Sequence, residues 1–198
     1  MLHRRQVLSL AMFGLLSMAS WLPQTAYAAE ATLMQAEITL DEPGQKPGLF
    51  LSVSYEFDLP HPLFEALHRG IALYFAHEFV LAKNRWYWFD RTVVDETYLF
   101  RLAFNPLTQR YRLSYNGFSQ DFDTLEQALP YIKTVKRWRV ADTSSVKSED
   151  YEASIRFYLD TSKLPKAMQA TNTSFGDWTI NSDWSAVPIP YDLINAGK

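Results

Sequence analysis

Apolar and polar residues alternate one for one along much of this chain. In the clearest stretch, Leu49, Leu51, Val53, Tyr55, Phe57 and Leu59 alternate with Ser52, Ser54, Glu56 and Asp58. Neighbouring side chains of an extended strand point to opposite faces, so this period of two predicts a strand with one buried and one solvated face. The fold must therefore cover one face of a sheet and leave the other in water.

The same alternation predicts further strands on both sides of this segment. They are expected at residues 34–40, 71–82, 85–91, 97–104, 111–115 and 151–159. Pro43-Gly44 and Pro47-Gly48 mark a turn after the first strand, which predicts an antiparallel hairpin with strand 49–59. Asn116-Gly117 predicts a second hairpin, whose far strand contains Phe118 and Phe122.

Two short helices are predicted between the strands. One spans residues 61–69, because Pro62 suits the first helical position and Gly70 suits the C-terminal cap. The other begins after Thr124 with the spacing of a capping box, and Pro130 is expected to bend or shorten it. Its apolar face comprises Leu125, Ala128, Leu129, Ile132 and Val135. Residues from 161 onward are interpreted as extended segments lying across the sheet.

These elements predict a mainly β fold of the β-rich α+β class. We expect an antiparallel sheet, curled or two-layered, with two short covering helices. No repeat or low-complexity linker interrupts residues 29–198, so they are predicted to form a single domain. The chain has no cysteine, which excludes disulfides and thiolate metal sites, so the domain must rely on its apolar core.

The first 28 residues have the three-part plan of a secretory signal peptide. Residues 3–5 are a cationic start, and a mainly apolar run of 16 residues follows from Val7 to Leu22. Ala26-Tyr27-Ala28 then supplies a cleavage site. The run is shorter than the roughly 20 residues that cross a hydrocarbon core, so cleavage near Ala28 is predicted in preference to a retained anchor. The mature chain is expected in the periplasm or otherwise exported, without a membrane span.

The charge of the mature chain argues against two classes of partner. Because Arg4 and Arg5 leave with the signal, 17 basic residues face 22 acidic ones, a net charge of −5 with histidine neutral. A mildly acidic surface gives no electrostatic reason to bind nucleic acid or anionic lipid. The sequence also lacks the G-x-S-x-G, P-loop, H-E-x-x-H and G-x-G-x-x-G motifs, and no cofactor is predicted.

The most distinctive stretch of the mature chain is IALYFAHEFVLAKNRWYWFDR, residues 71–91. On a strand, Trp86 and Trp88 share one face while Tyr87 and Phe89 share the other. This pattern suits a central strand that is covered on both sides. The alternative is an exposed platform that stacks on sugar rings. The candidate binding surface in that case is Trp86, Trp88, Trp178 and Trp184.

Five segments carry a resemblance to a known family. They read LYFAHEFVLAKNRWYWFD, FNPLTQRYRLSYNGFSQDFDTLEQAL, WRVAD, LDTSKLPKAMQ and WTINSDW. In this order they resemble domain-of-unknown-function family 4390, with Ala167 and Met168 where Pro and Leu are expected. The resemblance implies an exported bacterial envelope protein with no assigned activity. Relatives are often encoded beside a membrane sensor kinase, so the resemblance implies an envelope or membrane protein, such as a sensor kinase, as partner.

One helical face carries potential metal ligands. His61, Glu65 and His68 are spaced i, i+4 and i+7, and imidazole with carboxylate suits zinc or iron. The alternative is the polar face of an amphipathic helix. It is preferred because His61 lies at the helix start and would point away from the other two. No metal site is therefore predicted.

His77 and Glu78 are predicted to lie on opposite faces of the same strand. His77 falls on an apolar strand face and is predicted to be a satisfied core histidine. Glu78 faces the other way, and if that face is covered it needs a cationic partner. The expected partners are Arg85, Arg101 or Arg112.

Three functions remain open at this point. The leading hypothesis is a non-enzymatic envelope domain that binds another protein as an accessory to a membrane sensor. The alternative is a protein that binds a sugar, peptide or lipid through aromatic platforms. The third is a hydrolase, which needs a pocket where His61, His68 or the acidic pair Asp121 and Asp123 converge. The acidic pair more simply forms the solvated face opposite Phe122.

Arg4-Arg5 also resembles a twin-arginine export signal, although His3 stands where Ser or Thr is usual. We expect the double replacement Arg4→Lys and Arg5→Lys to leave export unchanged, because lysine keeps the cationic start. Fractionation of cells that express the variant checks this. Loss of the exported protein would show instead that the twin-arginine route is used.

Overall fold

A computed structural model describes residues 29–40, 48–83, 91–146, 151–169 and 178–191. The strands are β1 (Ala29–Glu30), β2 (Thr32–Leu40), β3 (Gly48–Glu56), β4 (Leu73–Lys83), β5 (Arg91–Asn105), β6 (Arg110–Tyr115), β7 (Phe118–Phe122), β8 (Thr134–Asp142), β9 (Tyr151–Leu159), β10 (Ile180–Asn181) and β11 (Ser185–Val187). The helices are α1 (His61–His68), α2 (Leu125–Lys133) and α3 (Lys166–Gln169), with 3-10 turns at Thr143–Ser145 and Thr161–Lys163.

The described strands form two sheets. The large sheet has the order β1-β10-β9-β4-β5-β6-β7, and β11 also pairs with β9. The small sheet has the order β2-β3-β8. All of these pairs are antiparallel except β1 with β10. β4 therefore lies at the centre of the large sheet, between β5 and β9.

Alternate residues of the central strands are buried, as the sequence pattern predicts. On β3 they are Leu49, Leu51, Val53 and Tyr55, and on β4 they are Leu73, Phe75, His77, Phe79 and Leu81. The intervening residues of β3 are half-buried or exposed, because each sheet turns one face to the core. Strand β9 follows the same rule, with its odd-numbered residues from Ala153 to Leu159 buried.

The inner faces of the two sheets pack on each other through aromatic rings. The ring of Tyr55 on β3 stacks 5.3 Å from that of Phe157 on β9. Trp138 on β8 meets Phe79 on β4 edge-on, with 6.4 Å between ring centroids. Each large side chain buried in this way stabilises the fold by about 1.5–3 kcal/mol. The predicted β-rich α+β fold with two layers is confirmed. Packing of its aromatic core stabilises the domain without disulfides.

Helix α1 ends as its glycine predicts. Gly70 adopts a φ of 87°, which favours glycine, directly after the last turn. The amides of Gly70 and Ile71 donate to the carbonyls of Leu67 and Ala66, at 3.0 Å each. These two bonds form the Schellman motif, which satisfies carbonyls that a helix end leaves free.

The second helix is shorter than predicted. Val135 was expected on its apolar face, but α2 ends at Lys133 and Val135 belongs to strand β8. Pro130 lacks an amide hydrogen, and the β-branched Thr134 and Val135 favour an extended backbone. Strand β8, which pairs with β3, was missing from the predicted strands.

The C-terminal segment does not lie across a sheet face. β10 and β11 pair with β9 and so lie in the plane of the large sheet, at its edge. The 3-10 turn and α3 precede them, where only extended chain was predicted. The β5 strand is also longer than predicted, since it begins at Arg91 and not at Thr97. The rest of the predicted strand at 85–91 lies outside the described residues.

No helix in the described ranges has both the length and the apolar character needed to cross a membrane.

His77 is a fully buried polar side chain on the central strand. Its Nε2 donates to the carbonyl oxygen of Ile132, 2.7 Å away, near the end of α2. Its ring also meets that of Phe157 edge-on at 4.8 Å. The predicted core position is confirmed, but only one nitrogen is satisfied, because Nδ1 has no hydrogen-bond partner among the described residues. Burial lowers the pKa of His77 to about 4, while the bond to Ile132 opposes that shift.

This pKa predicts that acid destabilises the protein. His77 stays neutral in the folded protein down to about pH 4, whereas an unfolded histidine binds its proton near pH 6.5. The free energy of unfolding should therefore fall as pH drops from about 6.5 towards 4, by on the order of 3 kcal/mol in total. Urea unfolding at a series of pH values measures it.

The matched variant is His77→Gln, whose amide can still donate to the Ile132 carbonyl. The free energy of unfolding of this variant should depend less steeply on pH between 4 and 6.5. The difference in slope should correspond to about one fewer proton taken up on unfolding. Equal slopes for the variant and the parent protein would contradict the prediction.

Candidate functional site

A cleft of about 460 Å³ opens between the large sheet and the junction of α2 with β8. It is lined by Tyr98, Phe100, Tyr115, Pro130, Tyr131, Thr134, Val135 and Lys136. We call it the aromatic cleft. Half of the lining residues carry aromatic rings, so the cleft presents flat, apolar ring faces together with the hydroxyl groups of three tyrosines.

Two strands supply one wall of the aromatic cleft. Tyr98 and Phe100 alternate on the inner face of β5, and Tyr115 on β6 pairs with Phe100 in register. The rings of Phe100 and Tyr115 lie 5.4 Å apart, and Tyr98 meets Trp138 of β8 edge-on at 5.6 Å. These contacts fix the rings in place, so this wall is preorganised.

The end of α2 and the start of β8 supply the opposite wall. Helix α2 ends at Lys133, and the chain then turns into β8 so that Thr134, Val135 and Lys136 line the cleft. Tyr131 is 45% exposed and packs on Phe122 at 5.1 Å between ring centroids. Lys136 is exposed and adds an ammonium group to this wall.

The Tyr98 hydroxyl of the cleft remains protonated at neutral pH, because its pKa is raised. Burial raises the pKa of Tyr98, the neighbouring Tyr115 raises it further, and a hydrogen bond with the Asn116 side chain opposes both. A protonated hydroxyl both donates and accepts hydrogen bonds. The cleft therefore combines apolar ring faces with neutral polar groups and one cation.

Of the candidate tryptophan surface, the two described residues, Trp178 and Trp184, do not line this cleft. Trp184 is 46% exposed, and one face of its ring is covered by the Arg156 guanidinium at 4.6 Å. Trp178 is half-buried and packs against the core. Trp86 and Trp88 lie outside the described residues.

Arg156 is also the partner of Glu78. Its Nη2 and Nε lie 2.7 and 2.8 Å from Oε2 of Glu78, and the two residues are directly opposite on β9 and β4. The expectation that Glu78 needs a cation is met by Arg156, and not by the predicted alternatives Arg101 or Arg112. The third alternative, Arg85, lies outside the described residues. Arg101 instead donates to the hydroxyl of Tyr74 at 3.2 Å.

The three potential metal ligands on α1 have separate partners. Glu65 lies 3.8 Å from His61 and 3.3 Å from the guanidinium of Arg69. His68 is turned into the fold, where its Nδ1 donates to the Phe64 carbonyl and its Nε2 accepts from the Tyr111 hydroxyl, both at 2.9 Å. No group of three or more His, Cys, Asp or Glu side chains suited to a metal ion occurs in the part of the chain that the structure describes.

The acidic pair at the end of β7, Asp121 and Asp123, forms ion pairs with arginines of β6. Asp121 accepts from Arg112 at 2.8 and 3.0 Å, and Asp123 pairs with Arg110 at 3.0 Å. Hydrogen bonds from Arg112 lower the pKa of Asp121, so this carboxylate stays ionised. Phe122 between them is buried, as the solvated-face interpretation predicts.

The aromatic cleft itself was missed by sequence reasoning. Its residues come from four elements, and no local spacing connects Tyr98 with Tyr115 or Lys136. The sequence signal that could have found it is the aromatic content of β5 and β6, which contribute Tyr98, Phe100 and Tyr115. It could be used only together with strand β8, which the sequence pattern does not predict.

Comparison with known proteins gives the class of this chain. The family model described as Domain of unknown function (DUF4390) matches residues 28–188. The chain belongs to that family, and the resemblance seen in the sequence is confirmed. No curated protein and no solved structure matches the chain.

The Glu78–Arg156 pair generates a stability prediction. The Glu78 side chain is only 14% exposed, so loss of its charge removes two charge-assisted hydrogen bonds from a half-buried site. We expect Glu78→Gln to lower the free energy of unfolding by roughly 1–2 kcal/mol. Chemical denaturation measures the change.

The matched control is Asp121→Asn, which breaks a comparable pair with Arg112 in the open. Because water and salt screen exposed pairs, its effect should be much smaller. Equal losses in the two variants would show that burial does not strengthen the Glu78–Arg156 pair.

Proposed function

We propose that this domain is a non-enzymatic binding module of the cell envelope, which holds a segment of another protein in the aromatic cleft. The observation that carries the proposal is the open cleft of about 460 Å³, which preorganised rings line on one side. Small-molecule binding sites are typically concave, mostly apolar and largely preformed, with volumes of about 300–1,000 Å³. An anchoring side chain of a protein partner fills a pocket of the same kind.

The chemistry of the lining residues supports a protein partner. Tyrosine is enriched at protein interfaces because it offers a large ring at low entropic cost, together with a hydroxyl that bonds in any direction. Three tyrosines line the cleft, and Lys136 adds a charge that a partner can meet. The rings of Tyr98 and Tyr115 are already held by neighbours, so binding orders few groups.

The proposed location follows from the export signal predicted over residues 1–28. Cleavage near Ala28 releases the mature domain on the far side of the cytoplasmic membrane. The expected partner is an envelope or membrane protein, and a membrane sensor kinase is the case that the family resemblance suggests.

A second candidate is a small amphipathic ligand in the same cleft. The volume favours it, since about 460 Å³ is enough for one drug-sized molecule. Binding of such a ligand can be measured by tryptophan fluorescence. Tyr98 contacts the indole of Trp138 edge-on, so a ligand that shifts Tyr98 changes the surroundings of that indole.

The test is a selection of random eight-residue peptides, displayed on phage, on the purified protein. We expect enriched peptides that compete for one site. Tyr131→Ala should weaken their binding by about tenfold or more, as for an anchoring contact. Tyr131 is half-exposed, so this variant should still fold. Fluorescence anisotropy with labelled peptide gives the dissociation constants.

The matched control is Leu107→Ala, which removes a 94% exposed side chain from the turn between β5 and β6. It should leave peptide binding unchanged. If no peptide is enriched but amphipathic compounds shift the tryptophan emission, the small-ligand candidate replaces the first. If neither happens, or if the two variants bind peptide equally well, the cleft is not the binding site.

A further inference from the structure

In the part of the chain that the structure describes, the aromatic cleft opens beside an unpaired stretch of strand edge. β4 pairs with β5 along its length down to Arg91, whereas β6 pairs with β5 only from Phe100 to Asn105. Among the described residues, no strand lies beside residues 91–99 of β5 on the side away from β4. At about 3.4 Å per residue this edge is roughly 30 Å long.

The hairpin beyond β6 leads the chain away from this edge, because β7 pairs with the far side of β6. Tyr115 is the last residue of β6, and the chain turns into β7 through Asn116 and Gly117, whose φ angles are 45° and 79°. A strand added beside residues 91–99 would thus lie in line with β6 and pair with the part of β5 that β6 does not reach. Its alternate side chains would fall on the inner face of the sheet, over Tyr98 and the cleft.

We propose that the partner segment binds as an extended strand along residues 91–99 of β5 and inserts an aromatic or large aliphatic side chain into the aromatic cleft. This mode rests on the proposed function and adds how the partner is held. Backbone hydrogen bonds to the edge supply affinity, and the cleft supplies specificity for one side chain.

The charges along the edge define the rest of the partner. Glu96 lies on the inner face two residues before Tyr98, and Asp95 lies on the outer face. Both are exposed, and neither forms an ion pair within the described ranges. Because opposite charges stabilise cross-strand neighbours, the segment should carry Lys or Arg two positions from its cleft residue.

The first measurement is amide hydrogen exchange, followed by NMR, on the protein with and without a phage-selected peptide. Only every second amide of a strand points to a given edge. We expect slower exchange at alternate amides from Val94 to Leu99, by tenfold or more. Residues 91–93 are left out of this count because the pairing with β4 is irregular there.

The second measurement uses the peptide itself. A set of selected peptides, each methylated at one backbone nitrogen, should lose tenfold or more in affinity at every second position and little at the others. Glu96→Lys should weaken the basic peptides more than Asp95→Lys, whose side chain lies on the other face.

The two proposals fail separately. If Tyr131→Ala abolishes binding but neither β5 exchange nor peptide methylation shows a period of two, the peptide docks through side chains only. Strand addition is then wrong and the binding function stands. If the selection yields no peptide, both proposals are wrong.

Discussion

The hydrogen bond from His77 to the Ile132 carbonyl connects the parts of this fold that matter most. It ties the centre of the large sheet to the last turn of α2, at 2.7 Å and without access to water. The chain leaves that turn as β8, whose Trp138 packs against Phe79 and Tyr98. The position of one wall of the aromatic cleft therefore depends on a buried neutral histidine.

This dependence explains why a cysteine-free domain can hold a preformed cleft. The core between the sheets is made of large rings that interlock, and such packing resists displacement because each shift opens a void. The large sheet continues past this core, so the inner-face rings of Tyr98 and Tyr115 are only half-covered. The cleft therefore lies where the apolar inner face of the large sheet is no longer fully covered by the small sheet and α2.

The paired charges outside the core have a different role. Glu78 and Arg156 form their ion pair in register on adjacent strands, and Arg156 also stacks on Tyr158 and Trp184. Trp184 is a candidate platform in the alternative, sugar-binding interpretation, and one face of its indole is in contact with this arginine. Alternation identified Glu78 as a residue that needs a cation. It did not identify Arg156, because the neighbour of β4 is β9, 78 residues away in sequence.

Elements with a local cause can be predicted from the sequence alone. A period of two predicts strands β2, β3, β4 and β9 and the buried face of β4. Gly70 predicts the end of a helix, and Asn116-Gly117 predicts a hairpin turn. Features that depend on pairing between distant segments cannot be predicted in this way. Thr134–Asp142 becomes a strand because β3 offers it an edge, and Tyr98, Tyr115, Tyr131 and Lys136 meet only because two sheets and α2 pack together. The spacing of neighbouring residues cannot predict such contacts, because the residues that meet are far apart in sequence and belong to different sheets.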